Sequence, residues 1–120
     1  MRRRARFTRE QRLLRPKQFE RVFADACKSS DGLLVVLGRA NTIGMARLGL
    51  AMSAKHLKTS PARNRVKRIV RGNFRQQAHE LGGVDFVVMA RAGAMSASNT
   101  DLHRAAQRHL LNVARKIRGE

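Results

Sequence analysis

The chain has no tryptophan, no tyrosine and one cysteine, and only eight of its 120 residues are acidic. Each scarcity excludes something. Cys27 alone cannot form an intrachain disulfide, which fits a reducing compartment. The aromatic supply is five phenylalanines, Phe7, Phe19, Phe23, Phe74 and Phe86. Any base stacking must therefore use phenyl, imidazole or guanidinium planes. No apolar run approaches the roughly 20 residues of a membrane-spanning helix. The start, MRRRARF, is basic with no apolar segment behind it, so it is not a secretory signal. It reads as a basic arm that touches phosphates rather than as a very short transit peptide. His56, His79, His103 and His109 are scattered, and neither C-x-x-C nor H-E-x-x-H spacing occurs, which argues against a zinc site. No paired carboxylates suggest glycosidic or two-metal chemistry, and no serine sits in a nucleophile elbow. The protein is not expected to be catalytic on its own.

Positive charge is what the chain has in excess: 26 Lys and Arg give a net charge of +18. A hydrophobic fraction of 42% argues for a folded chain rather than a basic tail. The length allows one domain, 1–120, with residues 1–12 as a basic N-terminal arm, and one modest core. Such a charge calls for an anionic partner, nucleic acid before an anionic membrane. The cytoplasm is the expected location, with no membrane and no obligate protein partner.

The most informative segment is Ala62–Arg75, ARNRVKRIVRGNFR. On a helix, at about 100° per residue, Val66, Ile69, Val70 and Phe74 share one side. Asn64, Arg65, Lys67, Arg68, Arg71 and Arg75 spread over the other. No acid occurs between Asp31 and Glu80 to neutralise that face, whereas a solvated, salt-bridged helix interleaves both signs. Arg63, Arg65, Lys67, Arg68, Arg71 and Arg75 are therefore candidate phosphate contacts. Asn64 differs in kind. Its amide donates and accepts, so it can cap a local backbone group or meet a base or ribose edge. The bland alternative is a charged surface that only keeps the protein soluble.

Along the chain, Arg15–Pro16 marks a helix entry, and Phe19, Val22, Phe23 and Ala26 follow at i, i+3, i+4 and i+7. Cys27 falls near the end of this helix as a small buried thiol, and Ser29–Gly32 breaks it. Leu33–Leu37 predicts a strand buried on both faces. Asn41–Gly44 is a turn, and Arg47–Met52 a second strand with Gly49 as a point of close approach. Ser53–Ser60 is a connection. Ser60, as N-cap, and Pro61 open the basic helix, which stops at Gly82–Gly83. Asp85–Ala90 is a third strand and Arg91–Ala97 a loop. Ser98-x-x-Asp101 resembles a capping box. Leu102, Ala105, Ala106, His109, Leu110, Val113 and Ile117 stripe a last helix. The order α-β-β-α-β-α, with room for one extra short strand, predicts a compact α+β sandwich.

Phe19 and Phe23 leave two readings open. A phenylalanine stripe at helical spacing packs inward. Phenyl rings beside Arg6, Arg9, Arg12 and Arg15 also suit a groove for single-stranded nucleic acid.

In this order the motifs resemble the protein subunit of bacterial ribonuclease P. Arg63–Arg75 (RNRVKRIVRGNFR) resembles that family's RNR signature. Phe7 with Arg12–Leu13, the FERVF of Phe19–Phe23, the RLGL of Arg47–Leu50 and the DFVV of Asp85–Val88 resemble its other elements. The resemblance implies a left-handed β-α-β crossover around the basic helix. It also implies assembly with a catalytic RNA that removes the 5′ leader of precursor tRNA, with Mg²⁺ serving the RNA's active site and no cofactor on the protein. Arg63, Asn64, Arg65, Lys67, Arg68, Arg71 and Arg75 would face the catalytic RNA. Phe7, Arg12, Phe19, Phe23 and Lys55 would line a leader-binding cleft. Two departures stand out. Ala54–Lys55 occupies the place of a common lysine pair, with Lys58 close by, and the first predicted strand has no aromatic. The competing classes are a ribosomal-type structural RNA-binding protein and a helix-turn-helix DNA-binding protein, the latter opposed by strands on both sides of the basic helix.

Overall fold

The computed structural model describes residues 11–13 and 15–120, so Phe7 and residues 1–10 of the basic arm lie outside the described residues. The elements are α1 (Pro16–Ala24), β1 (Cys27–Ser30), β2 (Leu34–Ala40), β3 (Arg47–Ala51), α2 (Ser60–Leu81), β4 (Val84–Ala90) and α3 (Asn99–Arg118), with a one-turn 3₁₀ helix at Ala92–Met95. The extra short strand is β1. It falls where the pattern predicted the end of a helix and its breaker, because α1 stops at Asp25 and Ala26 lies outside it. Cys27 is accordingly the first residue of a strand, and half-buried. Asp31 makes the β1–β2 turn: its Oδ1 accepts from the amides of Leu33 (2.8 Å) and Leu34 (3.0 Å). That Asx turn keeps Leu33 out of β2.

The four strands form one sheet in the order β1-β2-β4-β3. β1 with β2 and β2 with β4 are antiparallel, and β3 runs parallel to β4. The parallel pair is joined through α2, as a β-α-β unit requires. Arg12 is not in a free arm: it bridges Leu48, and the Leu13 amide donates to the Leu48 carbonyl at 3.0 Å. The chain thus touches the β3 edge before crossing the sheet as α1.

Register and alternation assign the two faces. On one, Leu34, Val36, Leu48, Phe86 and Val88 meet Val66, Ile69, Val70 and Phe74 of α2 and Leu102, Ala106, Leu110 and Val113 of α3. The α2 stripe is the predicted one, and Phe74 and Phe86 stack edge to face at 6.4 Å, worth about 0.5–1.5 kcal/mol beyond burial. α3 comes close to β2 because Gly38 has no side chain; a Cβ there would collide with Val113. On the opposite face Leu13, Val22 and Val87 form a smaller cluster with Phe19, Leu37 and Met89 around it.

The caps differ in detail from the sequence reading. Thr59, not Ser60, is the N-cap of α2, its side chain accepting from the Ala62 amide at 3.2 Å. Gly82, at φ 74°, ends α2 in a conformation that costs a glycine little. Ser98 caps α3 as expected, accepting from the Asp101 amide at 3.1 Å.

A buried polar cluster ties α3 to β1. His109, 2% exposed, places Nδ1 2.6 Å from Ser29 Oγ. Its Nε2 lies 3.1 Å from Asp31 Oδ2, an electrostatic contact without the alignment of a hydrogen bond. Arg108 Nη2 donates to the same carboxylate at 2.6 Å. Burial alone would raise the Asp31 carboxyl, but the amides of Leu34 and Leu33 and the neighbouring His109 outweigh it and hold it below the usual range. A carboxyl lowered in the folded state stabilises the fold above its unfolded value, about 3.9, and that contribution disappears as pH falls through the lower, folded value. Melting temperature is therefore expected to drop on acidification below about pH 4, and the drop to be smaller in Asp31→Asn. Equal acid losses in both proteins would remove Asp31 from the account.

Candidate nucleic-acid interfaces

α2 presents the one-signed face expected of Ala62–Arg75, but its cations divide into two sorts. Arg63 Nη1 donates to the Leu57 carbonyl (2.8 Å) and Nη2 to Ser60 Oγ (3.0 Å). Arg65 donates to the carbonyls of Ala97 (3.0 Å) and Ala94 (3.1 Å) and to Asn99 Oδ1 (2.8 Å). These two guanidiniums brace the connection before α2 and the entry to α3 while keeping their charge. The side chains of Lys67, Arg68, Arg71 and Arg75 make no hydrogen bond or ion pair among the described residues, and Arg68 and Arg75 are exposed. Asn64 is exposed too and caps no backbone group among the described residues, so its amide is available to a ligand.

The second candidate surface is on the other face of the sheet. Three rows of side chains point that way by register: Arg39, Asp85 and Arg47; Leu37, Val87 and Gly49; then Ser30, Val35, Met89 and Ala51. α1 covers the first two. Gly49 is what lets it sit so low, since a Cβ there would lie 2.6 Å from Phe19 Cε1 and 3.1 Å from Leu13 Cβ. The third row lies beside the helix, with Val35 buried, Met89 and Ala51 half-buried and Ser30 exposed. Phe19 is thus wedged over Gly49 and half-buried, whereas Phe23, one turn on, is 49% exposed. Packing thus separates two phenylalanines that spacing left alike: Phe19 fills space over Gly49, and Phe23 stands largely in solvent. Lys55 is exposed in the turn that follows β3, with its amide on Ser53 Oγ at 3.0 Å. Arg12 is exposed where it bridges Leu48 of the same edge strand, β3.

Alternation adds two cations that sequence reasoning missed. Arg91 continues the β4 ladder, its amide donating to the Leu33 carbonyl at 2.8 Å, so it follows Met89 on the groove face. Lys28 pairs with Leu37 while its neighbour Ser29 faces α3. Arg91 was assigned to a loop and Lys28 to a helix end, and only strand register places them.

One buried carboxylate locks this face. Asp85, 1% exposed, receives Arg47 on both oxygens (Nε to Oδ1 and Nη2 to Oδ2, each 2.7 Å), Asn41 Nδ2 on Oδ1 (2.8 Å) and Arg21 Nη1 on Oδ2 (3.3 Å). Hydrogen bonding to Asp85 raises Arg47 above its ordinary value. Arg21 Nη2 also donates to the Ala40 carbonyl (2.9 Å), and Arg39 Nη1 returns to the Arg21 carbonyl (2.9 Å). The C-terminal half of α1 is therefore stitched to β2 and β4, and through the shared Asp85 to β3. Among the described residues no group of three or more His, Cys, Asp or Glu is placed to hold a metal ion, and no helix is long and apolar enough to cross a membrane.

Comparison with known proteins gives one consistent answer. The family model described as Ribonuclease P matches residues 7–114. A Methylococcus capsulatus ribonuclease P protein component is 46% identical over 113 residues, 94% of this chain and 88% of that protein. The component from Photobacterium profundum is 41% identical over 94% of this chain and 96% of its own. Among solved structures, the Staphylococcus aureus RNase P protein superimposes with a TM-score of 0.79 at 25% identity, covering 85% of this chain and 94% of that one. The Thermotoga maritima RNase P protein gives a TM-score of 0.71 at 27% identity, over 88% and 96% of the two chains.

The Asp85 network carries a stability prediction. Removing one partner of a buried pair strands the others, at a cost of about 3–5 kcal/mol. Asp85→Ala is expected to lose that much in denaturant unfolding, against about 0.5 kcal/mol or less for Glu20→Ala on the exposed surface of α1. Similar losses in the two variants would show that the network contributes little.

Proposed function

The chain belongs to the ribonuclease P protein family, and on that premise we propose that it serves tRNA 5′ maturation by holding two RNAs at once, a catalytic RNA on α2 and the 5′ leader of precursor tRNA in the groove beside α1. The observation that carries the reading is the placement of two cationic surfaces on opposite faces of one sheet. α2 faces outward from the helical layer, while the exposed Phe23 of α1 and Arg91, by its register, belong to the opposite side, where Met89 and Ala51 stay half-buried beside α1.

In this reading the RNA performs the cleavage, and Mg²⁺ serves the RNA's active site. The protein supplies charge and placement. Lys67, Arg68, Arg71 and Arg75 neutralise phosphates of the catalytic RNA and release condensed counterions. Arg63 and Arg65 hold the ends of the connections that aim α2. Across the sheet, the leader runs along the third row, its phosphates near Lys55 and Arg91 and a base against Phe23. Stacking and phosphate contacts are tolerant of sequence, so many leaders can be accepted. Mature tRNA has no leader and loses that contact. The protein therefore favours substrate over product. The site of action is the cytoplasm.

The test is reconstitution: stimulation of precursor-tRNA cleavage by the catalytic RNA at low Mg²⁺, with no cleavage by RNA-free protein. Failure to stimulate would overturn the reading. Lys67→Ala with Arg68→Ala is expected to weaken binding to the catalytic RNA and to flatten its log–log salt dependence by about 0.7–0.9 for each lost contact. An unchanged slope would take α2 out of the RNA contact.

Phe23→Ala tests the groove. It should lower affinity for leader-bearing precursor relative to mature tRNA, with about 1–3 kcal/mol as the ceiling for one stacked base. Thermal stability should hold, because the ring is 49% exposed. Phe19→Ala should instead lower the melting temperature, since its ring fills the space over Gly49. An unchanged precursor-to-mature ratio in Phe23→Ala would place the leader elsewhere.

A further inference from the structure

The α2 face and the groove do not use all of the cationic surface. The outer flank of α3 carries Arg104, Arg108 and Arg115 around a shallow hollow of about 360 Å³, lined also by Gln107, Leu111 and Asn112. The composition of its wall is specific. Guanidiniums match phosphate oxygens, primary amides can donate to and accept from a base edge, and the half-buried Leu111 offers an apolar floor to a ring.

Part of this wall is built from beneath. Arg108 is fixed by Asp31 Oδ2 at 2.6 Å, and Asn112 Nδ2 reaches Ser29 Oγ at 3.4 Å. Ser29 is itself buried and held by His109 at 2.6 Å. The β1–β2 hairpin thus presets two of the lining side chains. Arg104 and Arg115 differ: both are exposed, and neither side chain makes a hydrogen bond or ion pair among the described residues, although the charge of Arg115 helps to lower the Glu120 carboxyl. Arg104, Arg108 and Arg115 span 11 helical steps, about 16 Å at 1.5 Å per residue. That length suits a short stretch of nucleic-acid backbone rather than a single small anion.

We infer that this hollow is a second contact for the catalytic RNA, taking an unstacked nucleotide and its flanking phosphates. The assignment to that RNA follows from topology. α3 packs beside α2 on the same face of the sheet, so its outer flank extends the helical layer; the groove for the leader lies on the other face. The inference rests on the proposed docking of catalytic RNA on α2, and one set of measurements separates the two.

Arg104→Gln with Arg115→Gln is made in the full-length protein, and binding to the catalytic RNA is titrated against salt beside Lys67→Ala with Arg68→Ala. The expected result is a log–log slope shallower by about 1.4–1.8, two contacts' worth, with the precursor-to-mature ratio and melting temperature unchanged. Unstructured poly(U) RNA is the control and should respond far less. An unchanged slope in the α3 variant while the α2 variant loses its own overturns the α3 contact alone. Unchanged slopes in both overturn the docking reading with it. An equal fall for poly(U) would reduce the flank to a non-specific cationic surface and likewise overturn the inference.

Discussion

A carboxylate taken out of water must be met by donors, and the donors around Asp85 come from distant parts of the chain. Arg47 arrives from β3, Asn41 from the β2–β3 turn and Arg21 from α1. An unpaired buried charge would be far too costly to keep, so these segments can only be arranged as they are. That anchor holds the crossing of α1 over the sheet at one end, and Gly49 lets Phe19 sit low further along it. The groove is thus fixed by electrostatics at one end and by a missing side chain in the middle.

Self-repulsion is the second constraint. A chain with a net charge of +18 favours expansion unless its cations are spaced or engaged. Several guanidiniums serve as internal struts. Arg63 and Arg65 satisfy backbone carbonyls at the ends of loops, and Arg118 donates to the Glu80 carbonyl at the end of α2. Arginine suits this use because its planar fork binds several carbonyls and never loses its proton. Among the described residues, the cations without such work include Lys67, Arg68, Arg71 and Arg75 on α2 and Arg104 and Arg115 on α3, on the outward surfaces of the two helices.

How much could be read from the residues alone depended on range. The stripes of α2 and α3 are periodic over many turns, and the buried sides are the ones that spacing predicted. β1 was hidden because Cys-Lys-Ser-Ser has neither alternation nor strong strand propensity; its partner β2 makes it a strand. The Asp85 network joins residues up to 64 positions apart, and no local pattern announces it. Phe19 and Phe23 share one spacing and could be told apart only when Gly49 was seen beneath the first. Arg63 and Arg65 read as free cations because their acceptors, carbonyls in loops, leave no trace in composition. The family resemblance, in contrast, was carried by ordered motifs and needed no three-dimensional information.

The sheet is also an insulator. Its two central strands, β2 and β4, are buried by α2 and α3 on one side and partly by α1 on the other, and the molecule measures 28 Å across its shortest axis. Interactions between solvent-exposed charges in physiological salt are largely screened beyond a Debye length of about 8 Å. In the proposed complex a leader in the groove and a catalytic RNA on the helices are separated by more than that distance. Neither has to overcome the other's field through the protein. Each meets only the cations facing it, and the two attachments can be strengthened or weakened independently.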